Sequence, residues 1–400
     1  MSKNQSVFVA GVGVISAIGN NRIECISALQ NGRTGIGPIT NLRTVHKDVF
    51  PVGEVKLSNL ELANQTGLNS NVPRTALLSF MAAKEALYEA NIPELESLRT
   101  GFISANSVGG MDLTEIFFEN FLPNNEKGRL INVINHECGS VTDLVAQKLG
   151  IRHFVSTIST ACSSSANSIL LAARLIRQGL LDVVVAGGAD ALTRFTLNGF
   201  NTLMILDPEP CKPFDANRNG LNLGEGAGYL VLVSEKIAAL LSNTYCLLSG
   251  YHNSNDAYHQ TASSPEGIGS YMAMQGALKK SGVEPHDIGY INLHGTGTQN
   301  NDRSEATAIK RLFEAAYPLM SSTKAFTGHT LGGCGGIEAV FSALSIKSGF
   351  IYPNLRFKTQ MEEFPFSPEI NFSVNPTLKN VLSNSFGFGG NCTSLIFSAV

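Results

Sequence analysis

Charge is scarce in this chain. Asp, Glu, Lys and Arg make up 15% of its 400 residues, against about 25% in ordinary soluble domains, and nowhere do Lys and Arg gather into a block. A formal net charge of −3 offers no pull on a polyanion, which excludes nucleic acid and anionic membrane surfaces as partners. So little charge implies deep burial, an extensive subunit interface, or both. Long apolar runs are missing too. The stretch Val7–Ile15 is short and broken by glycine, so it reads as a buried opening strand, not a signal-peptide core. Nothing reaches the ~18 residues of a membrane span. The seven cysteines, at 25, 138, 162, 211, 246, 334 and 392, stand singly. They show neither the even pairing of a disulfide framework nor the spacing of a zinc site. A reducing cytoplasm and no metal are therefore expected.

Glycine, in contrast, is abundant, with 39 residues, and implies many tight turns or close contacts. Strand-like runs alternate with helix-like ones, which points to the α/β class. Strands are expected at Val7–Val9, Thr100–Ser104, Leu181–Ala186, Tyr229–Val233, Cys246–Ser249, Tyr290–Leu293, Ile370–Ser373 and Ser394–Ser398. Helices are expected at Arg74–Glu89, Ser165–Gln178, Ser270–Ser281, Ser304–Phe313 and Ile337–Ser348. An internal echo divides the chain near residue 240. Val7–Ile15 and Cys246–Tyr251 each open a half with an apolar strand running into glycine. Residues 1–240 and 241–400 are the two expected halves. The polar stretch Leu122–Lys127 reads as a surface loop or interface flap.

The segment Ser159–Asn167 sets one cysteine, Cys162, among small residues directly before an apolar helical run. A helix start turns unpaired N–H groups and partial positive charge toward whatever lies there. A thiol so placed is expected to ionise more easily than the ~8.5 of a free cysteine, and the thiolate is the nucleophile. A lone cysteine needs histidine partners elsewhere in the chain. His294 and His329 both stand where an apolar or polar run meets a Gly/Thr-rich turn. His46, His136, His153, His252 and His286 lack that setting and read as surface or structural.

Six ordered pieces then carry a resemblance: Thr160–Ser165, Pro213–Gly220, Gly224–Gly228, His294–Thr298, Lys324–His329 and Asn384–Gly390. Together they resemble a β-ketoacyl-acyl-carrier-protein synthase of the elongating type II group. The resemblance implies a thiolase-like, five-layered αβαβα sandwich of two duplicated halves, normally a homodimer, with a heterodimer of related subunits as the variant. It implies decarboxylative Claisen condensation of an acyl-enzyme with malonyl-acyl-carrier protein, in fatty-acid, polyketide or aryl-polyene-like elongation. No cofactor is implied, since 4'-phosphopantetheine arrives on the carrier.

Residue by residue, the resemblance makes Cys162 the acyl-accepting nucleophile and His294 and His329 the active-site pair. Lys324 becomes the supporting lysine and Glu338 its partner. Phe388 is placed at the gate, with the Cys162 and Phe388 N–H groups as oxyanion donors. Thr296 and Thr298 meet the pantetheine arm, and Val108 and Phe386 belong to the acyl pocket. Asp256, Tyr258 and His259 read as loop-orienting. Lys324 is expected to act structurally, as an ammonium paired with Glu338 or a backbone carbonyl. Two departures stand out. Asn391 follows Gly390 at once and Cys392 comes next, where the family has a variable residue and then asparagine, which bears on the gate loop's fine geometry. Three serines follow Cys162, a hint of a specialised pathway. The rival readings are a thiolase, with Cys392 as its second cysteine, and a non-catalytic chain-length-factor-like subunit, which typically lacks the nucleophile.

Overall fold

A computed structural model describes residues 5–314 and 316–400. Ten strands form one continuous sheet: β1 (Val7–Ser16), β2 (Thr100–Ala105), β3 (Phe154–Ile158), β4 (Val183–Asp190), β5 (Gly226–Ser234), β6 (Cys246–Asn255), β7 (Tyr290–Asn292), β8 (Leu319–Ser321), β9 (Asn380–Phe386) and β10 (Asn391–Ser398). Their order is β3-β2-β4-β5-β1-β6-β10-β9-β7-β8. The first five strands and the last five repeat one topology. In each set the opening strand pairs antiparallel with the fifth, the fifth antiparallel with the fourth, and the second runs parallel to both the third and the fourth. The two sets touch through two residue pairs, Phe8 with Leu247 and Val9 with Cys246, and then diverge.

That divergence opens room for a layer of helices between them. The helices that matter are α1 (Arg74–Ala90), α2 (Met111–Phe121), α3 (Cys138–Leu149), α4 (Ser164–Arg177), α5 (Arg194–Thr202), α6 (Ile268–Ser281), α7 (Gln299–Phe313) and α8 (Cys334–Ser348). Alternating side chains of the central strands feed two cores. In β4, Val183, Val185 and Ala189 pack with α1 and α3, while Val184 and Ala186 pack with α4 and α8. β5 likewise divides Ala227, Tyr229, Val231 and Val233 from Leu230 and Leu232. A third core places α6 and α7 on the far side of the second set, against Ile291, Leu382 and Ile396. The layers thus run helix, sheet, helix, sheet, helix, the five-layered sandwich expected. Strands covered on both faces read as near-continuous apolar runs, and these do.

β1 runs on past Val9 to Ser16 because its glycines admit α1 at close range. A Cβ on Gly13 would stand 2.0 Å from the Ala82 carbonyl oxygen. The expected strand at Ile370–Ser373 is a correction. Only Ser373–Val374 pairs, with Phe350–Ile351, and Ile370 is exposed. Pro368 and Pro376 bracket the segment, and each, lacking its own N–H, limits how far a ladder could extend beyond it. Leu122–Lys127 is an exposed loop following α2. No described helix is long and apolar enough to cross a membrane.

Candidate active site

The sequence folds Thr160–Ser165 into a sharp turn at the N-terminus of α4. Ala161 takes φ +53°, a left-handed conformation uncommon for a residue with a Cβ. Three hydroxyls hold it there. Ser164 Oγ accepts from the Thr160 N–H at 2.7 Å and donates to the Ala161 carbonyl at 2.5 Å. Ser163 Oγ lies 2.8 Å from the Thr160 carbonyl. Ser165 Oγ accepts the Gly336 N–H at 2.7 Å, which ties α4 to α8. The serines after Cys162 are therefore the fabric of the turn. Their hydroxyls have this structural use whatever the pathway.

The turn delivers Cys162 to a buried meeting point of both halves. Its sulfur and ring nitrogens of His294 and His329 all lie within 4.8 Å of one another. His294 follows β7 and His329 precedes α8. Their rings stand edge to face with centroids 5.6 Å apart. Hydrogen bonds fix both tautomers. The Leu331 N–H donates to His329 Nδ1 at 3.0 Å, so the neutral ring carries its proton on Nε2. Lys324 Nζ reaches His294 Nδ1 at 3.2 Å and its carbonyl oxygen at 2.6 Å. The third Lys324 donor meets the Glu338 carboxylate. Burial works against the Lys324 ammonium, but Glu338 foremost, with Cys334 and Glu305, holds the pKa above the ordinary lysine value. A charged Lys324 leaves His294 also protonated on Nε2. Two neutral imidazoles thus offer N–H donors to one region. A metal ion would need lone pairs there, and with both Nδ1 atoms engaged that requires imidazolate.

Burial, then Lys324, push the His329 pKa down to about 3, and the same causes hold His294 well below 6.5. Both rings remain uncharged donors across the physiological range. The expectation of an easily ionised thiol fails. Burial raises the Cys162 pKa to about 11, against the opposing pulls of the Lys324 charge and the Phe388 N–H. A helix start and a nearby cation do lower a thiol's pKa, but desolvation of the anion in a closed site is the larger effect. Alkylation of Cys162 by iodoacetamide should accordingly rise about tenfold per pH unit from pH 7 to 9 without levelling. A plateau near pH 7, read by peptide mass at Cys162, would mean a preformed thiolate.

Carboxylates that the sequence reading did not single out set the loops. Glu305, in α7, accepts the N–H groups of His294 (2.9 Å) and Gly295 (2.8 Å). Asp302, one turn earlier, accepts those of Thr296 (2.9 Å) and Phe214 (2.8 Å). Asp190, at the end of β4, receives Ser107, Val108 and Gly332 N–H groups at 2.7–3.1 Å. Acidic residues three apart at the start of an amphipathic helix were the available signal for the first two.

A cavity of about 500 Å³ opens over this centre and is lined by Cys162, His294, His329, Phe386 and Phe388, and by Thr296 and Thr298. The two threonine hydroxyls are 2.9 Å apart. Phe388 stacks on Phe200 of α5, ring centroids 5.8 Å apart. Val108 lies beside the cavity but does not line it, packed with Leu192, Leu197, Leu206 and Leu331. Asp256 accepts from Ser264 N and Oγ and from Gly269 N, and gives its own N–H to Gly390, so it braces the gate loop. Tyr258 is exposed, and neither it nor His259 lines the cavity. Cys392 is buried with Ala273 and Phe386 and does not face the cavity.

Comparisons with known proteins show which family the whole chain resembles. Family models for the beta-ketoacyl synthase N-terminal and C-terminal domains match residues 4–238 and 245–358. The chain is 35% identical over 411 aligned positions to 3-oxoacyl-[acyl-carrier-protein] synthase 2 of Staphylococcus aureus, covering 99% of each. Among solved structures, the ishigamide ketosynthase/chain length factor superposes with a TM-score of 0.93 at 29% identity, over the whole of both chains. A type II polyketide synthase acyl-carrier protein in complex with its ketosynthase bound to the hexaketide gives 0.89 at 26%, again over both whole chains.

Proposed function

This chain belongs to the β-ketoacyl synthase family, and we propose that Cys162, His294 and His329 carry its decarboxylative condensation. The observation that supports this reading is the convergence of one sulfur and two imidazoles within 4.8 Å beneath an open cavity. In the first half-reaction Cys162 attacks a carrier-bound acyl thioester. The acyl group passes to sulfur, and the thiol proton ends on the departing carrier thiol. The oxyanion of the tetrahedral intermediate sits between the N–H groups of Cys162 and Phe388. In the second, malonyl-carrier loses CO₂, and the two Nε2–H donors stabilise the charge gathering on its thioester oxygen. The nucleophilic carbon attacks the acyl-cysteine carbonyl, and the Cys162 sulfur leaves and regains a proton. One difficult step becomes two.

Lys324 and Glu338 are assigned the orientation of His294, and Thr296 and Thr298 the contact with the pantetheine arm. Phe388 gates the cavity, with Phe386 and Val108 as acyl-pocket walls, one lining and one behind. The pantetheine comes with the carrier protein, so no separate cofactor is assigned. Residues 1–240 and 241–400 are the two thiolase-like halves. A partner subunit, a second copy or a related chain, is assigned to the side where β3 ends the sheet and Ile116, Phe118, Leu122, Leu130 and Ile134 are exposed. The position of Cys392 speaks against a thiolase, and the nucleophile's placement against a non-catalytic subunit.

Turnover of malonyl-carrier protein with a panel of acyl-carriers tests the reading. The expected product is a β-ketoacyl-carrier two carbons longer than the primer, with one CO₂ released. Hydrolysis alone, or thiolytic exchange without CO₂, would contradict it.

A further inference from the structure

The departure at Asn391 has a structural role of its own. The Asn391 side-chain oxygen accepts the Nδ2–H groups of Asn167 at 2.8 Å and of Asn253 at 2.7 Å, and Ser163 Oγ lies 2.7 Å away. These three neighbours come from α4, from β6 and from the turn directly after Cys162. Asn167 gives its second N–H to Thr160 Oγ1 (2.9 Å) and accepts from Thr393 Oγ1 (2.7 Å). Asn253 gives its second to Thr393 Oγ1 (2.8 Å). Asn391 also closes the gate loop through its main chain, its carbonyl accepting the Gly387 N–H at 2.8 Å. One residue therefore holds the gate loop by its backbone and the nucleophile turn by its side chain.

Contact between those two segments is tight. A Cβ on Gly387 would stand 3.0 Å from the Cys162 nitrogen and 3.1 Å from the Thr160 carbonyl oxygen. The next residue, Phe388, lines the same cavity as Cys162. The two N–H groups of the oxyanion site thus sit on separate segments, about 225 residues apart in sequence, that meet where Asn391 joins them. An oxyanion site works only if its donors are placed before the charge forms, and a misplacement of about 1 Å costs on the order of 10²-fold in rate.

We propose that Asn391 is a positioning residue for acyl transfer, its side-chain oxygen fixing the Phe388 N–H against the Cys162 N–H. This rests on the reaction assigned above. The histidines that serve decarboxylation are held by other groups, Lys324, Glu305 and the Leu331 N–H. Loss of the clamp should therefore separate the two half-reactions. Asn391→Leu keeps the branched outline and the number of heavy atoms and removes the acceptor. Asn391→Asp keeps the acceptor.

The experiment measures single-turnover acyl loading of Cys162, malonyl-carrier decarboxylation and thermal unfolding for the full-length wild type and both variants. Asn391→Leu is expected to load 10- to 100-fold more slowly, on the scale of displaced oxyanion donors, with decarboxylation within about threefold of wild type, and Asn391→Asp to recover most of the loading rate. Undiminished loading in folded Asn391→Leu overturns the proposal, as does equal loss of both steps or failure of folded Asn391→Asp to recover. If Asn391→Leu does not fold, Asn391→Ala replaces it under the same criteria. A wild type that loads no acyl group overturns the assigned reaction and the clamp with it; a wild type that loads normally beside an unaffected variant overturns the clamp alone.

Discussion

Replacing Cys162 by alanine is expected to reduce β-ketoacyl product by more than about 10⁴-fold, the scale on which removal of a nucleophile acts, while malonyl-carrier decarboxylation continues. The reason is the division of labour in the cavity. Among the described residues that line the cavity, the sulfur is the strongest nucleophile. The donors proposed for the malonyl thioester are His294 and His329, whose positions are set by Lys324, Glu305 and the Leu331 N–H. None of those supports passes through the Cys162 side chain. Alanine removes one small buried side chain and leaves the turn's serine hydrogen bonds in place. Carbon dioxide release and β-ketoacyl product, followed together by mass spectrometry, separate the two activities. Retained product in the variant would remove Cys162 from the mechanism. Joint loss in a folded variant would show that the decarboxylation site needs the sulfur.

The converse substitution has the second largest effect. His329→Ala removes one of the two Nε2–H donors and should slow malonyl decarboxylation by about 10²- to 10³-fold, the measured range for one donor to a developing oxyanion. His294→Ala should act similarly. Acyl loading of Cys162 should fall far less, because the donors proposed for its oxyanion are backbone N–H groups. The neutral state of both rings matters here. With the His329 pKa held at about 3 by burial and by Lys324, its donor proton is present throughout pH 5–8, and decarboxylation should show no histidine titration in that window. Equal losses in loading and decarboxylation would contradict the enolate-donor role.

Much of this centre was legible because close approach leaves a mark in composition. Cys162 among Ser and Ala, and His294 and His329 among Gly and Thr, are residues whose neighbours had to be small for two halves to meet. The order of strands in each half repeats, as the echo between Val7–Ile15 and Cys246–Tyr251 suggested. What the sequence could not convey is burial depth. The helix start before Ser164 and the lysine at 324 argue for an acidic thiol, yet the walls that desolvate Cys162 come from 294, 329 and 386–388. Asp190, whose carboxylate binds backbone rather than substrate, was equally silent, since nothing local distinguishes it from a surface acid. Asn391 showed itself only as a departure from a motif. Its neighbours, at 163, 167 and 253, are brought together by the fold.

The most direct test is to mix the enzyme with a single acyl-carrier substrate, quench within one turnover, and map the acyl group by peptide mass. Stoichiometric acylation at Cys162, absent from Cys162→Ala and discharged as a β-ketoacyl product when malonyl-carrier is added, is the predicted result. An acyl group on any other residue, or none formed while product still accumulates, would contradict it.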